Sequence, residues 1–440
     1  MFLYYDIIGL DEKLILEQNK NTMIDIKLLL QNPDLFDKNN KRRGAEIDLS
    51  IVQKLSEEKN KALQETEELR RLAKEAAEAV RTAEADKRAA LIEAGRDFKE
   101  KIKTAEDRLT ELETNLEIEI KKYPNLLRDD VKTGKDGDDN EVLREVGKPT
   151  EFSFEPKDHV ALGEALDLID IDRAGKVSGS RFTYLKGDAV LLEFALINYV
   201  ISTLVPEGFV PVLPPHIIST EAMGAMGYLE HGGEEEIYHL KNDDAVLIGT
   251  SEQAIGPMHM NEILPLEKLP LRYLGFSSCY RRESGSYGRD VRGILRMHQF
   301  DKLEMFSFVE PEKSDAEHEF LLSMEEKLMK GLGLPYRVMR LCSGDIGRPS
   351  ARTYDIETWI PSQKMYRETH STSNTTDYQT RRLKIRYKNA EGKNELIHAL
   401  NGTAFAIGRI LIAILENYQQ ADGSIIIPEV LRPWVGKEKI

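Results

Sequence analysis

Between residues 47 and 122, apolar side chains return every seven positions. One line runs through Leu55, Ala62, Leu69 and Ala76. A second stretch carries Leu91, Phe98, Ala105 and Leu112, with a companion line through Ile102, Leu109, Leu116 and Tyr123. The intervening residues are mostly Glu, Lys, Arg and Ala, with no proline and a single glycine, Gly95. Two heptad lines on strong helix formers predict coiled-coil packing. The first series fades into alanine and threonine near Val80–Ala90, and Tyr123-Pro124-Asn125 ends the run. The spacing therefore predicts a helical hairpin that folds back near residues 81–90, each limb about 50 Å long at about 1.5 Å per residue. Periodicity alone suits a dimerising rod as well as a grip on an elongated partner. Lys74, Arg81, Lys87, Arg88, Arg96 and Lys99 near the expected tip are compatible with phosphate contacts, although acidic residues are interspersed.

The pattern then changes. Residues 1–22 read as an upstream extension, 23–127 as the domain that carries the arm, and 128–150, polar and acidic with several glycines, as a linker. From 151 to 440 helical stretches (187–205, 314–332 and 404–420) alternate with β-rich runs such as 209–213 and 271–274. Strands in hairpin-like succession with helices between them predict an α+β domain on an antiparallel sheet flanked by helices. Neither a dinucleotide fingerprint nor a Walker-type phosphate loop occurs, so nucleotide binding needs another scaffold.

Composition narrows the function. The net charge of −15 over 440 residues argues against a general nucleic-acid binder, so an RNA partner must meet a local basic face. The run Arg381-Arg382-Leu383-Lys384-Ile385-Arg386-Tyr387-Lys388 offers one, half of it expected to face solvent on a strand. Two cysteines, Cys279 and Cys342, supply neither a disulfide framework nor a Cys-rich zinc site. The first ten residues do not read as a signal peptide, since they lack a basic leader, and the sequence predicts no apolar run approaching the roughly 20 residues of a membrane span.

Three segments carry chemistry. In the first, the apolar helix 187–205 feeds a proline-ended strand, a pattern of core or interface. The second, 275–306, alternates arginines, a glycine-rich turn and carboxylates. Arg281 and Glu283 are expected on one strand face, a phosphate clamp beside a carboxylate that can accept from an exocyclic amine. After the turn Phe300 and Glu304 share a face, a stacking platform and a second carboxylate. The third, 401–409, reads as a polar turn opening an apolar helix, with Gly402 and Gly408 allowing close backbone approach. Its Arg409 needs an anion or an aromatic plane unless it snorkels to solvent.

These segments resemble motifs 1, 2 and 3 of class II aminoacyl-tRNA synthetases, and the fuller resemblance is to the seryl-tRNA synthetase family. It extends from Met23 through the arm, the Tyr123-Pro124-Asn125-Leu126 exit, the extended motif 2 and the block from Glu416 to Pro433. The resemblance implies a serine–tRNA ligase that activates serine with ATP, then transfers it to the terminal adenosine of tRNA(Ser). Charging of tRNA(Sec) is left open. Thr250, Ser251 and Glu252 would hold the serine amino group, and Glu304 with Thr403 would read its hydroxyl. Arg281 would bridge the α-phosphate and the serine carboxylate, and Glu283 would read adenine. Phe300 and Arg409 would sandwich that ring. Arg282, Glu368, Thr369, His370 and Ser371 would complete the ATP site, with Glu368 and Ser371 on Mg²⁺. The family commonly has serine at positions 282, 370 and 403. A cytoplasmic homodimer without zinc or a membrane partner is implied as well. A ligase that loads a carrier protein would lack the long arm, and a catalytically silent RNA-binding paralogue would not retain Arg281, Glu283, Glu304, Glu368 and Arg409.

Overall fold

Strong helix formers without a breaker give two long antiparallel helices, α1 (Leu49–Thr82, 34 residues) and α2 (Ala85–Lys121, 37 residues), separated only by Ala83 and Glu84. Asp48 caps α1 by accepting from the Ser50 amide at 2.9 Å. The computed structural model describes residues 24–230, 232–284 and 293–440; the expected extension 1–22 and most of the glycine-rich turn, 285–292, lie outside the described residues. In α2 both heptad lines are found, with Ala105, Leu112, Leu116 and then Tyr123 buried. The seam of α1 differs from expectation. It runs through Val52, Ser56, Lys59, Ala62 and Thr66, while Leu55 and Leu69 are only half-buried. Small and polar residues in that seam gave no hydrophobic signal; Thr66 returns its hydroxyl to the Ala62 carbonyl at 2.8 Å. At the base Phe36 meets Tyr123 edge-on, 6.3 Å between ring centres.

The chain divides into two compact units, the smaller ending at Pro124 and the larger comprising Arg42–Gly44 with Asn125–Ile440. The larger unit is built on an eight-stranded sheet. In chain order its elements are β1 (Glu141–Val146), α3 (Asp188–Leu204), β2 (Phe209–Val212), β3 (Leu271–Tyr280), β4 (Gln299–Val309), α4 (Ser314–Leu332), β5 (Tyr336–Arg340), β6 (Arg352–Ile360), β7 (Met365–Thr376), β8 (His398–Ala406) and α5 (Ile407–Asn417). The strand order is β1-β5-β6-β7-β8-β4-β3-β2. Every pair is antiparallel except the β2–β3 edge, which is parallel. Side chains of α3, α4 and α5 pack on the sheet through one large apolar cluster that includes Leu192, Leu196, Leu328, Phe405 and Ile410.

Four expectations are corrected here. The segment read as a linker contains β1, an edge strand whose exposed Glu145 and half-buried Glu141 keep the edge charged, with Arg144 tied to Glu326 at 2.7 Å. The polar turn at 401–406 is strand β8, and its helix begins only at Ile407. Alternating small residues there are buried on both faces, which disguised the strand. In the basic run only Arg386–Lys388 is strand; its start belongs to the short helix Tyr378–Leu383, and Arg382 is paired with Glu230 at 2.6 Å. Finally, Asp188–Glu207 is by length and composition apolar enough to cross a membrane. Its Leu192, Ala195, Leu196, Val200 and Leu204 are nearly inaccessible within the core, which accounts for that apolarity.

Candidate active site

The long hairpin β3–β4 is paired without a break from Leu271↔Phe308 to Tyr280↔Gln299. Strand alternation puts Phe300, Lys302 and Glu304 on one face. Opposite Glu304 stands Gly275, where a Cβ would come within 2.6 Å of Ile255 and 2.7 Å of Ser251. Glycine there lets the Thr250-Ser251-Glu252 turn lie directly against the hairpin. On the other side β8 pairs with β4 so that Thr403 faces Glu304, and its hydroxyl donates to Glu304 Oε2 at 3.5 Å.

Two adjoining cavities of about 180 and 570 Å³ result. Arg281, Glu283, Lys302, Ser371, Thr403 and Arg409 line both. Phe300, Glu368 and Thr369 belong to the smaller, and Thr250, Glu252 and Glu304 to the larger. Arg281, Glu304 and Arg409, from three distant segments, thus face the same space. Arg281 donates from Nε to the Gly249 carbonyl at 3.1 Å and lies 5.3 Å from the centre of the Phe300 ring. Arg409 donates to the Glu368 carboxylate and to its backbone carbonyl, both at 2.9 Å.

Three expected residues are placed elsewhere. Ser251 is fully buried and shares a hydrogen bond with Ser277 at 2.8 Å, away from the cavity. His370 is inaccessible and packs edge-on against Phe405. Arg282 turns outward over the Tyr238 ring, 5.8 Å from its centre. Thr369 lines the smaller cavity, yet its hydroxyl is committed to Thr358 at 2.7 Å. Nor do Arg281 and Glu283 share a strand face: β3 ends at Tyr280, and Glu283 adopts a left-handed backbone with φ of 51°. That twist still brings both residues to the cavity, where Arg296 reaches the Glu283 carboxylate at 3.3 Å.

Electrostatics were harder to read in advance. Lys302, not anticipated, is buried and forms an ion pair with Glu304, while its Nζ lies 3.5 Å from the Thr250 hydroxyl. Its place two residues from both Phe300 and Glu304 was the available signal. Burial pushes the Glu304 carboxyl up, the Lys302 ammonium opposes that, and the charge of Glu252 adds to it. At Glu368 burial works upward too, but Arg409, with help from Arg281 and Lys302, outweighs it and holds the carboxyl below its usual range. Beneath the pocket, Glu325 of α4 is fully buried with neither carboxyl oxygen hydrogen-bonded among the described residues. Burial, then the charge of Glu304, raises its pKa well above the ordinary value. Gly402 makes room for it, since a Cβ there would lie 3.2 Å from Glu325 Oε1.

A sheet of this order, bearing a cationic fork and an aromatic plane beside a buried carboxylate, defines a class II aminoacyl-tRNA synthetase core. Comparison agrees: the family model described as tRNA synthetase class II core domain (G, H, P, S and T) matches residues 237–418, and the one described as seryl-tRNA synthetase N-terminal domain matches 23–127. A serine–tRNA ligase of Thermobifida fusca is 44% identical over 94% of this chain and 98% of its own. That of Dictyoglomus thermophilum is also 44% identical, over 95% and 99%. The crystal structure of seryl-tRNA synthetase from Pyrococcus horikoshii complexed with ATP superposes with a TM-score of 0.87 at 36% identity, covering 95% of this chain and 99% of that one. The chain belongs to the seryl-tRNA synthetase family.

Proposed function

We propose that this protein is an ATP-dependent serine–tRNA ligase. The observation that carries the reading is Glu304, a buried carboxylate held between Lys302 and Thr403 in the cavity that also receives Arg281 and Arg409. Serine's ammonium would meet Glu252 and the Thr250 hydroxyl, and its hydroxyl would donate to Glu304, with Lys302 as counter-ion. Phe300 offers the plane for adenine, opposed by Arg409, and Glu283 an acceptor at its edge. Arg281, which lines both cavities, would neutralise charge as a serine carboxylate oxygen attacks the α-phosphorus and pyrophosphate leaves. The terminal ribose hydroxyl of the tRNA then attacks the activated carbonyl, and AMP departs. Neither step needs a protein nucleophile; positioning and charge suffice.

Glu368 and Ser371 line the smaller cavity with a carboxylate and a hydroxyl, hard oxygen donors of the kind Mg²⁺ selects. They would hold that ion, which supplies charge neutralisation on the ATP phosphates. Exposed cations along the arm, among them Arg81, Lys87, Arg88 and Arg96, suit a tRNA backbone in a chain otherwise acidic. The reading includes a homodimer through the exposed apolar residues of α3 and β2, and work in the cytoplasm. Serine-dependent exchange of labelled pyrophosphate into ATP, run beside threonine and alanine, tests activation. Charging of purified tRNA(Ser), with tRNA(Sec) alongside, tests transfer. Exchange without transfer to any tRNA would favour a carrier-protein ligase, and no exchange at all would leave an RNA-binding paralogue. Deleting residues 50–120 should abolish transfer while sparing exchange.

A further inference from the structure

The amino-acid end of the larger cavity holds two carboxylates, and the chain steadies them differently. Glu304 has the Lys302 ammonium. Glu252 has neutral partners: Gln379 Nε2 reaches its Oε1 at 3.1 Å, and Tyr228 lines the same cavity with its hydroxyl set against that carboxylate. No sequence motif marked either donor. Tyr228 follows the short helix Thr220–Ala225, and its ring packs between two apolar clusters, one with Met226, Ile255 and Phe306, the other with Met223 and Val246. The ring is therefore fixed from both sides while the residue lines the cavity. Burial raises the phenol pKa well above its usual value, and the charges of Glu252 and Glu304 raise it further against the pull of Arg281. The hydroxyl thus stays a donor across the working pH range.

A carboxylate that must accept an ammonium gains from being held in one rotamer before the substrate arrives. We infer that Tyr228 is a positioning residue of the amino-acid subsite, aiming Glu252 at the substrate ammonium through its hydroxyl and walling the subsite with its ring. This rests on the serine-activating function proposed above. If the wild-type chain shows no serine-dependent exchange, that function falls first, before any variant is compared.

The test uses the full-length chain and Y228F, which keeps the ring and removes the hydroxyl, with melting curves as the check on folding. Losing one hydrogen bond to a charged group should raise the serine KM about tenfold, leaving kcat and the ATP KM close to wild type. Two non-hydrolysable seryl-adenylate analogues, one with the amino group and one without, separate aiming from general packing. Y228F should weaken binding of the amino analogue only. Equal weakening of both analogues, an unchanged serine KM, or an ATP KM that rises in step would each overturn the inference.

Discussion

An arginine serves a phosphate only if something fixes where its fork points. For Arg281 that is the Gly249 carbonyl, which takes Nε, and the Phe300 ring alongside. The rest of the guanidinium is then presented to the cavity as a flat pair of donors. Arg281→Ala should lower the exchange rate on the order of 10²–10³-fold, the scale of a lost oxyanion donor. Arg281→Lys should recover little, because a flexible point charge lacks the fork; full recovery in a stopped-flow or exchange assay would show that charge alone suffices. Glu304 makes a pH-dependent prediction. Its pKa is raised above the ordinary carboxylate value, chiefly by burial. The acceptor form therefore exists above that raised value and is lost as the pH falls through it. The acid limb of kcat/KM for serine should accordingly begin above the ordinary carboxylate range. Glu304→Gln, with no proton to gain, should lack that limb and discriminate less between serine and alanine.

At the scale of elements, α4 does two jobs. It covers the back of the sheet with Leu321, Leu328 and Leu332, and it drives one carboxyl, Glu325, into the space Gly402 leaves beneath the candidate site. Burial gives Glu325 a higher pKa in the fold than in the unfolded chain, so between those two values the folded state binds the extra proton. Its contribution to stability is whole below about the unfolded value of 4.5 and declines as the pH rises toward the folded value. Glu325→Gln should thus melt like wild type near pH 4 and at higher temperature than wild type as the pH increases. A melting difference that shrinks with pH would show that the carboxyl is paired. None of this was legible in the sequence, where Glu325 looks like any polar position on an amphipathic helix. The elements themselves were legible where one period dominated: 314–332 was expected and is found as α4. They were misread where burial is two-sided, as in β8, or where the seam is small and polar, as in α1. Site residues followed the same rule. Arg281, Phe300, Glu304 and Arg409 stand in recognisable local patterns, whereas Tyr228 and Gln379 act through contacts that only the fold creates.

For the whole molecule, the exposed apolar residues matter most. Phe194 of α3 is 58% exposed, Val210 of β2 55% and Leu213 80%, with Leu191 and Ile217 also accessible. These residues fall on α3, β2 and the segment just after it, and the dimer proposed above assigns a second copy to cover them. Phe194→Asp should shift sedimentation equilibrium from dimer to monomer. Within the dimer proposed above, we propose that the arm of one subunit grips tRNA held in the active site of the other. That makes a complementation experiment decisive. A chain lacking residues 50–120 keeps its activating site, and a chain with Arg281→Ala keeps its arm; neither should charge tRNA alone. Mixed dimers should recover charging, because the intact arm and the intact site then lie on opposite subunits. If the arm instead serves its own active site, no mixed dimer holds a working combination, and charging stays at the background of the two parents.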